Sequence, residues 1–134
     1  MTALTDQDRA LRAMTEAKLQ AEVIRQARDL GWGVTLSARK AMLAEAAQYG
    51  VGAPPLDGLV FHPRYSLGSE PGFPDLTLVR RRDRRLIFAE LKSEKGYLSS
   101  RQAEVLELLE EVGCTVHVWR PSDLASGAIA EVLR

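Results

Sequence analysis

Two stretches of mainly apolar residues in the second half of the chain predict paired β-strands. They cover Asp75–Arg80 and Leu86–Lys92, and both are rich in aliphatic and aromatic residues. The charged stretch RRRDRR between them is typical of a solvated turn. The pattern therefore predicts an antiparallel hairpin.

The pattern changes to helical spacing after the hairpin. A serine cap at 99 or 100 precedes apolar residues at 103, 106, 109 and 112, which predict a helix that ends at Gly113. A short strand at Thr115–Trp119 and a terminal helix at Ser122–Leu133 are expected to follow. A strand–helix–strand connection of this length places its strands in parallel. The predicted fold class is α/β, a mixed β-sheet flanked by helices.

The first half of the chain is less regular. Residues 15–30 predict an amphipathic helix that begins after Thr15, and residues 38–49 predict a second one. Between them, Trp32–Ser37 is a candidate strand. Residues 50–74 contain five prolines and few periodic apolar positions, so we expect a long loop there.

Length and composition favour one ordinary globular domain. With 134 residues, 46% of them hydrophobic and 27% charged, the chain fits a single domain over 1–134, with an insertion or long loop at about 38–71. No apolar run approaches the roughly 20 residues that span a bilayer. The polar N-terminus is unlike a secretory signal, and Cys114 is the lone cysteine, which excludes an internal disulfide. These features favour a cytoplasmic location.

Three charged residues gather at one end of the predicted hairpin. Asp75 begins the first strand directly after Pro74, while Glu90 and Lys92 lie two positions apart near the end of the second. Residues two apart on a strand point to the same face. Pairing of the strands would therefore place Asp75 beside Glu90 and Lys92.

Two neighbouring carboxylates repel each other unless a cation joins them. Oxygen ligands with no nearby cysteine or histidine favour Mg²⁺ or Mn²⁺, and the backbone carbonyl of Leu91 offers a further ligand. Such a metal, with Lys92 beside it, is suited to hydrolysis of a phosphodiester. The alternative is a chance pair of short motifs, Pro-Asp in a turn and Glu-x-Lys on an exposed strand.

The ordered motifs of this region resemble those of VRR-NUC domains, within the PD-(D/E)xK nuclease superfamily. The resemblance rests on Gly72, Pro74 and Asp75 at the strand start, Glu90 and Lys92 at the strand end, then Gly96, Ser99 and Gln102. On the first helix, Glu16 and Gln20 match the family's spacing of a Glu and a Gln. The resemblance covers about 60 continuous residues, together with this helix.

The resemblance implies a restriction-endonuclease-like fold and a role for each matched residue. Asp75, Glu90 and the Leu91 carbonyl would bind Mg²⁺ or Mn²⁺, and Lys92 would be the catalytic lysine. Gln102 would orient the substrate or water, and Glu16 would reach the metal or its water. For Glu16 and Gln20 the competing interpretation is a solvated helix face, and for Gln102 it is helix capping or solvent exposure.

The implied activity is a Mg²⁺-dependent deoxyribonuclease. Stand-alone members of the family resemble Holliday-junction resolvases, so branched DNA and a homodimer are expected partners in recombination, repair or phage genome processing. The alternatives are a simple endonuclease, a non-catalytic DNA- or protein-binding module that keeps the fold, and an unrelated α/β protein.

The charge of the chain gives evidence both for and against DNA binding. The net charge is zero, which counts against DNA binding, whereas a dense arginine cluster in the hairpin turn favours a contact with the DNA backbone. The cluster contains Arg80, Arg81, Arg82, Arg84 and Arg85. The chain also departs from the family in the extra length between its first helix and Gly72.

Overall fold

The computed structural model describes residues 3–63 and 71–134 of the chain. Within these ranges it forms six helices and one four-stranded sheet. The elements in chain order are α1 (Asp6–Ala13), α2 (Glu16–Asp29), α3 (Leu36–Gln48), β1 (Gly58–Phe61), β2 (Leu76–Arg80), β3 (Arg85–Leu91), α4 (Ser100–Glu111), β4 (Thr115–Trp119), α5 (Pro121–Ala125) and α6 (Ala128–Leu133).

The sheet is mixed, as predicted. Its strand order is β1-β2-β3-β4, with antiparallel pairs β1–β2 and β2–β3 and a parallel pair β3–β4 joined through α4. The register of the hairpin pairs Leu76 with Ala89 and Arg80 with Arg85. This places the start of β2 beside the end of β3, where the charged residues converge.

The core lies between one face of the sheet and the helices α2 and α6. Its buried residues come from α2 (Leu19, Val23, Ala27), from the sheet (Leu76, Leu78, Ile87, Ala89, Leu91, Trp119) and from α6 (Ile129, Leu133). Alternate residues of β2 are buried, as expected for a strand with one face in the core. The helix α2 begins at the Thr15 cap, as predicted.

The predicted strand at Trp32–Ser37 is wrong. Gly31 and Gly33 have φ values of 88° and 114°, which extended strands do not adopt, and Thr35 caps α3 through its side chain. The Trp32 ring is instead buried in the core, and its Nε1 donates to the Leu133 carbonyl at 2.7 Å.

The predicted loop at 50–74 contains the strand β1, which the sequence did not reveal. Gly58 sits so close to β2 that a Cβ there would lie 2.5 Å from the Val79 carbonyl oxygen. Residues 64–70, which belong to the predicted insertion at 38–71, lie outside the described residues. In the described part, this region holds most of α3, which buries only Ala46, and β1 at the edge of the sheet.

The terminal helix predicted at Ser122–Leu133 is two helices. The helix α5 ends at Ala125, and Gly127, with a left-handed φ of 84°, precedes α6. Among the described residues, no helix is both long and apolar enough to cross a membrane.

The prediction that the arginine-rich turn is solvated is wrong for Arg80, which is buried. Its side chain is 2% exposed and donates to the Asp83 carboxylate and to the carbonyls of Leu30, Leu133 and Arg134. Its guanidinium also lies 4.5 Å from the centre of the Trp32 ring. These carbonyls lie at the ends of α2 and α6, where no intrahelical donor remains. Arg80 therefore stabilises the fold, and the predicted DNA contact is wrong for this residue.

Candidate active site

Asp75 and Glu90 meet where the hairpin strands end. Asp75 lies just before β2, and its Oδ2 accepts a hydrogen bond from the backbone N–H of Leu91 at 2.8 Å. The predicted convergence of Asp75 with the end of β3 is therefore observed. The contact extends the hairpin by one side-chain hydrogen bond beyond its last pair of residues.

Successive backbone N–H groups at the end of β3 point to opposite sides of the strand. The N–H of Leu91 points towards Asp75, whereas the N–H of Lys92 points the other way and donates to the Trp119 carbonyl of β4 at 3.0 Å. In an extended strand the N–H and C=O of one residue point to the same side. The Leu91 carbonyl therefore lies on the Asp75 side, where the sequence predicts a ligand.

Glu90 is a buried carboxyl among polar neighbours. Its side chain is 2% exposed, and its Oε1 lies 3.8 Å from the Lys92 ammonium. Its Oε2 is buried and has no hydrogen-bond partner among the described residues. Buried polar atoms are almost always paired, so this oxygen stands out.

The surroundings of Glu90 favour its protonated form. Burial, followed by the neighbouring Asp75 carboxylate, raises the pKa of Glu90 from its ordinary 4.5 to about 8, because Asp75 can accept a hydrogen bond only from protonated Glu90 and its charge repels the ionised form. The Lys92 charge opposes the rise. The Glu16 charge adds to it, so the first turn of α2 lies within electrostatic range of the carboxyl pair.

Gln102 connects the site to the first turn of α4. Its Nε2 donates to Glu90 Oε1 at 3.1 Å, while its Oε1 accepts from the Ser99 backbone N–H at 2.9 Å. The Ser99 side chain accepts in return from the Gln102 N–H, which completes a capping box. The competing interpretation of Gln102 as a capping residue is therefore observed, and Gln102 also contacts Glu90, whereas its role in orienting substrate or water stays a prediction. The spacing Ser-x-x-Gln signals the cap, but no sequence pattern signals the second contact.

The segment before Asp75 packs against the same turn of α4. Arg101 Nε donates to the Pro71 carbonyl at 3.2 Å. Gly72 has a φ of 82°, and a Cβ there would lie 2.7–3.0 Å from the side chain and backbone of Arg101. The ring of Phe73 contacts the edge of Phe88 on β3, at a centroid distance of 5.6 Å. Asp75 is thus positioned by α4 as well as by β3.

The donor set fits a hard divalent cation. Asp75 and Glu90 offer carboxylate oxygens and Leu91 offers a carbonyl oxygen, the kind of atom that Mg²⁺ and Mn²⁺ prefer, and Glu90 Oε2 accepts no hydrogen bond from the described residues. A cation between the two carboxylates would also favour the ionised form that burial and repulsion oppose. Within residues 3–63 and 71–134, no group of three or more His, Cys, Asp or Glu side chains is arranged so that it could hold a metal ion.

The remaining arginines of the turn lie at the opposite end of the hairpin from Asp75. The strand β2 has five residues, so about 17 Å separates the two ends. Arg81 and Arg82 donate to the Leu56 and Leu30 carbonyls, and Arg85 donates to the Val132 carbonyl. Contact of these arginines and of Arg84 with DNA stays a prediction.

Comparison with known proteins supports one family. Residues 64–123 match the family model of the VRR-NUC domain. This match covers the start of β2, the hairpin, α4 and β4. No curated protein and no solved structure matches the chain.

Proposed function

Because residues 64–123 form a VRR-NUC domain of the PD-(D/E)xK nuclease family, we propose that this protein is a Mg²⁺- or Mn²⁺-dependent deoxyribonuclease. The family makes the chain a nuclease-family protein with DNA as its implied substrate. The single observation that carries the active-site assignment is the buried, unpartnered oxygen of Glu90 beside Asp75 and Lys92.

The proposal gives each residue of the site a task. Asp75, Glu90 and the Leu91 carbonyl hold the cation, which supplies Lewis-acid chemistry at the scissile phosphate when it is bound. The ammonium of Lys92, a residue that is 8% exposed, lies 3.8 Å from Glu90 and neutralises charge that builds up on the phosphate oxygens. Gln102 holds Glu90 Oε1 in place. Glu16, which is exposed on the first turn of α2, orients water at the edge of the site.

Branched DNA and a homodimer complete the proposal. A four-way junction requires two coordinated cuts, and a twofold-symmetric dimer presents two equivalent sites. The resemblance of the motifs to stand-alone family members supports this reading. We also propose that residues 1–134 act as one domain.

The direct test is cleavage of labelled four-way-junction, flap and linear DNA with Mg²⁺ or Mn²⁺. Asp75→Ala and Lys92→Ala should each lower the rate by at least about 100-fold. Lys40→Ala is the matched control, because Lys40 is exposed on α3 and is not among the residues that bond to Asp75, Glu90 or Lys92 in the described part of the chain. Mg²⁺ should also raise the melting temperature of wild type but not of Asp75→Ala. Folded wild type that binds DNA without cutting it would instead indicate a non-catalytic binding module.

A further inference from the structure

The loop between Lys92 and the Ser99 cap is held by three hydrogen bonds. The Gly96 N–H donates to the Ser93 carbonyl at 3.0 Å, which closes a turn. Arg120 donates to the Gly96 carbonyl at 2.9 Å, and the Glu94 carboxylate accepts from the Ser122 N–H at 2.9 Å. The loop is therefore fixed to the start of α5, and both of its ends adjoin the candidate active site.

This braced loop presents an aromatic ring to solvent. Tyr97 is 89% exposed, more than any other exposed large hydrophobic residue among those described. Lys95 is also exposed and forms no ion pair within the described ranges. Burial of an aromatic side chain is strongly favourable, so a ring that stays in water on a fixed loop is ready to contact a partner.

We propose that Tyr97 is a stacking platform for an unpaired nucleobase next to the scissile phosphodiester, and that Lys95 contacts a flanking phosphate. The proposal rests on the proposed function, since it takes DNA as the substrate. Tyr97 lies five residues after Lys92 and two before Ser99. Chain length thus keeps it within about 18 Å of Lys92, and the turn at Gly96 shortens that distance.

The chemistry of an exposed ring selects for DNA with unpaired bases. Inside a duplex, both faces of each base are covered by neighbouring bases, so a ring on the protein surface finds no free face. A flap, a single strand or an open junction offers one. Stacking is insensitive to sequence because every base has a π-face, so this contact would recognise structure.

The test measures dissociation constants by fluorescence anisotropy for labelled single-stranded, flap and blunt duplex DNA. All variants carry Lys92→Ala, so that the DNA stays intact in Mg²⁺. Tyr97→Ala should weaken binding to single-stranded and flap DNA by about 5- to 100-fold and leave duplex binding unchanged. Tyr97→Phe should bind as tightly as Tyr97. Lys95→Ala should weaken binding to all three and reduce the salt dependence.

Two comparisons make the test specific to stacking. Tyr49→Ala is the matched control, because Tyr49 is a 70% exposed tyrosine at the end of α3, outside the loop that joins Lys92 to Ser99. Tyr97→Leu keeps an apolar side chain without a π-face. The proposal is overturned if Tyr97→Ala behaves like Tyr49→Ala, if duplex binding falls equally, or if Tyr97→Leu binds as well as Tyr97→Phe.

The outcome is separable from that of the proposed function. Tyr97-dependent binding in the Lys92→Ala background, together with a wild-type protein that cuts no DNA, would support the stacking platform and reject the nuclease. Cleavage that requires Asp75, together with binding that does not depend on Tyr97, would support the nuclease and reject the stacking platform.

Discussion

The side-chain amide of Gln102 joins helix α4 to the carboxyl of Glu90, with 3.1 Å between Nε2 and Oε1. The other end of the same amide caps the helix through the Ser99 N–H. One residue therefore sets the start of α4 and orients a carboxyl of the proposed metal site. The two roles can be separated, because only the oxygen is needed for the cap and only the nitrogen for Glu90.

Gln102→Glu should separate them. Glutamate is an ordinary capping-box residue, so the stability of the helix should be kept, while the donor to Glu90 is replaced by a repelling carboxylate. We expect nuclease activity to fall about 10- to 100-fold, as for other residues that orient metal ligands. Thermal unfolding and cleavage assays measure the two effects. Unchanged activity in Gln102→Glu would exclude an orienting role for Gln102.

The raised pKa of Glu90 predicts a pH dependence of stability in metal-free protein. Folding raises this pKa from 4.5 to about 8, so the folded chain keeps a proton that the unfolded chain releases. The stabilisation is complete below about pH 4.5 and is lost as pH rises through about 8. Denaturant unfolding in a chelator should show this slope, and Glu90→Gln should remove it. Equal slopes for the two proteins would contradict the assignment.

Arg80→Met should destabilise the fold. It removes one donor from each of the carbonyls of Leu30, Leu133 and Arg134, and it also removes the ion pair with Asp83. The second donors to these carbonyls, from Arg82, Trp32 and Arg85, remain. We expect a loss of about 2–4 kcal/mol in the free energy of unfolding. Arg82→Met is the matched control, because Arg82 is exposed, and its loss should stay within about 0.5 kcal/mol. Comparable losses in both variants would count against a special role for Arg80.

Gly72→Ala should impair the site through the backbone. The new Cβ would lie 2.7–3.0 Å from side-chain and backbone atoms of Arg101. The alanine would also have to adopt the left-handed φ of Gly72. We expect a loss of more than about 1 kcal/mol in stability and a fall in activity, because Asp75 follows three residues later. Gly50 also has a left-handed φ, but a Cβ there would meet no atom within 4 Å. Gly50→Ala therefore measures the free-energy cost of the left-handed φ alone. If the two variants have the same free energy of unfolding and the same cleavage rate, the packing of Gly72 against α4 is not required for stability or activity.

The hairpin and its charged end were predictable because they follow from local rules. Alternation defines the strands, and pairing then fixes which ends meet, so the neighbourhood of Asp75 and Glu90 follows. The mixed sheet follows from the connection through α4, and the VRR-NUC match confirms the family that the motifs suggested.

The missed features depend on distant contacts. The strand β1 has four residues, one of them a glycine, and is recognisable only by its pairing with β2. The burial of Arg80 could not be predicted, since an arginine in a charged turn is ordinarily solvated. Its partners lie up to 54 positions away in the sequence. The split of the last helix depends on the backbone of Gly127.

The contacts of Trp32 and Arg80 with the end of α6 have a consequence for the order of folding. They join residues 101 and 53 positions apart, so forming them early would require closure of very long loops. The β2–β3 hairpin and the helix α4 involve short separations and form at a much smaller entropic cost. The last helix should therefore dock late. Its hydrogen bonds to Arg80 then form only after the turn that carries this arginine is in place.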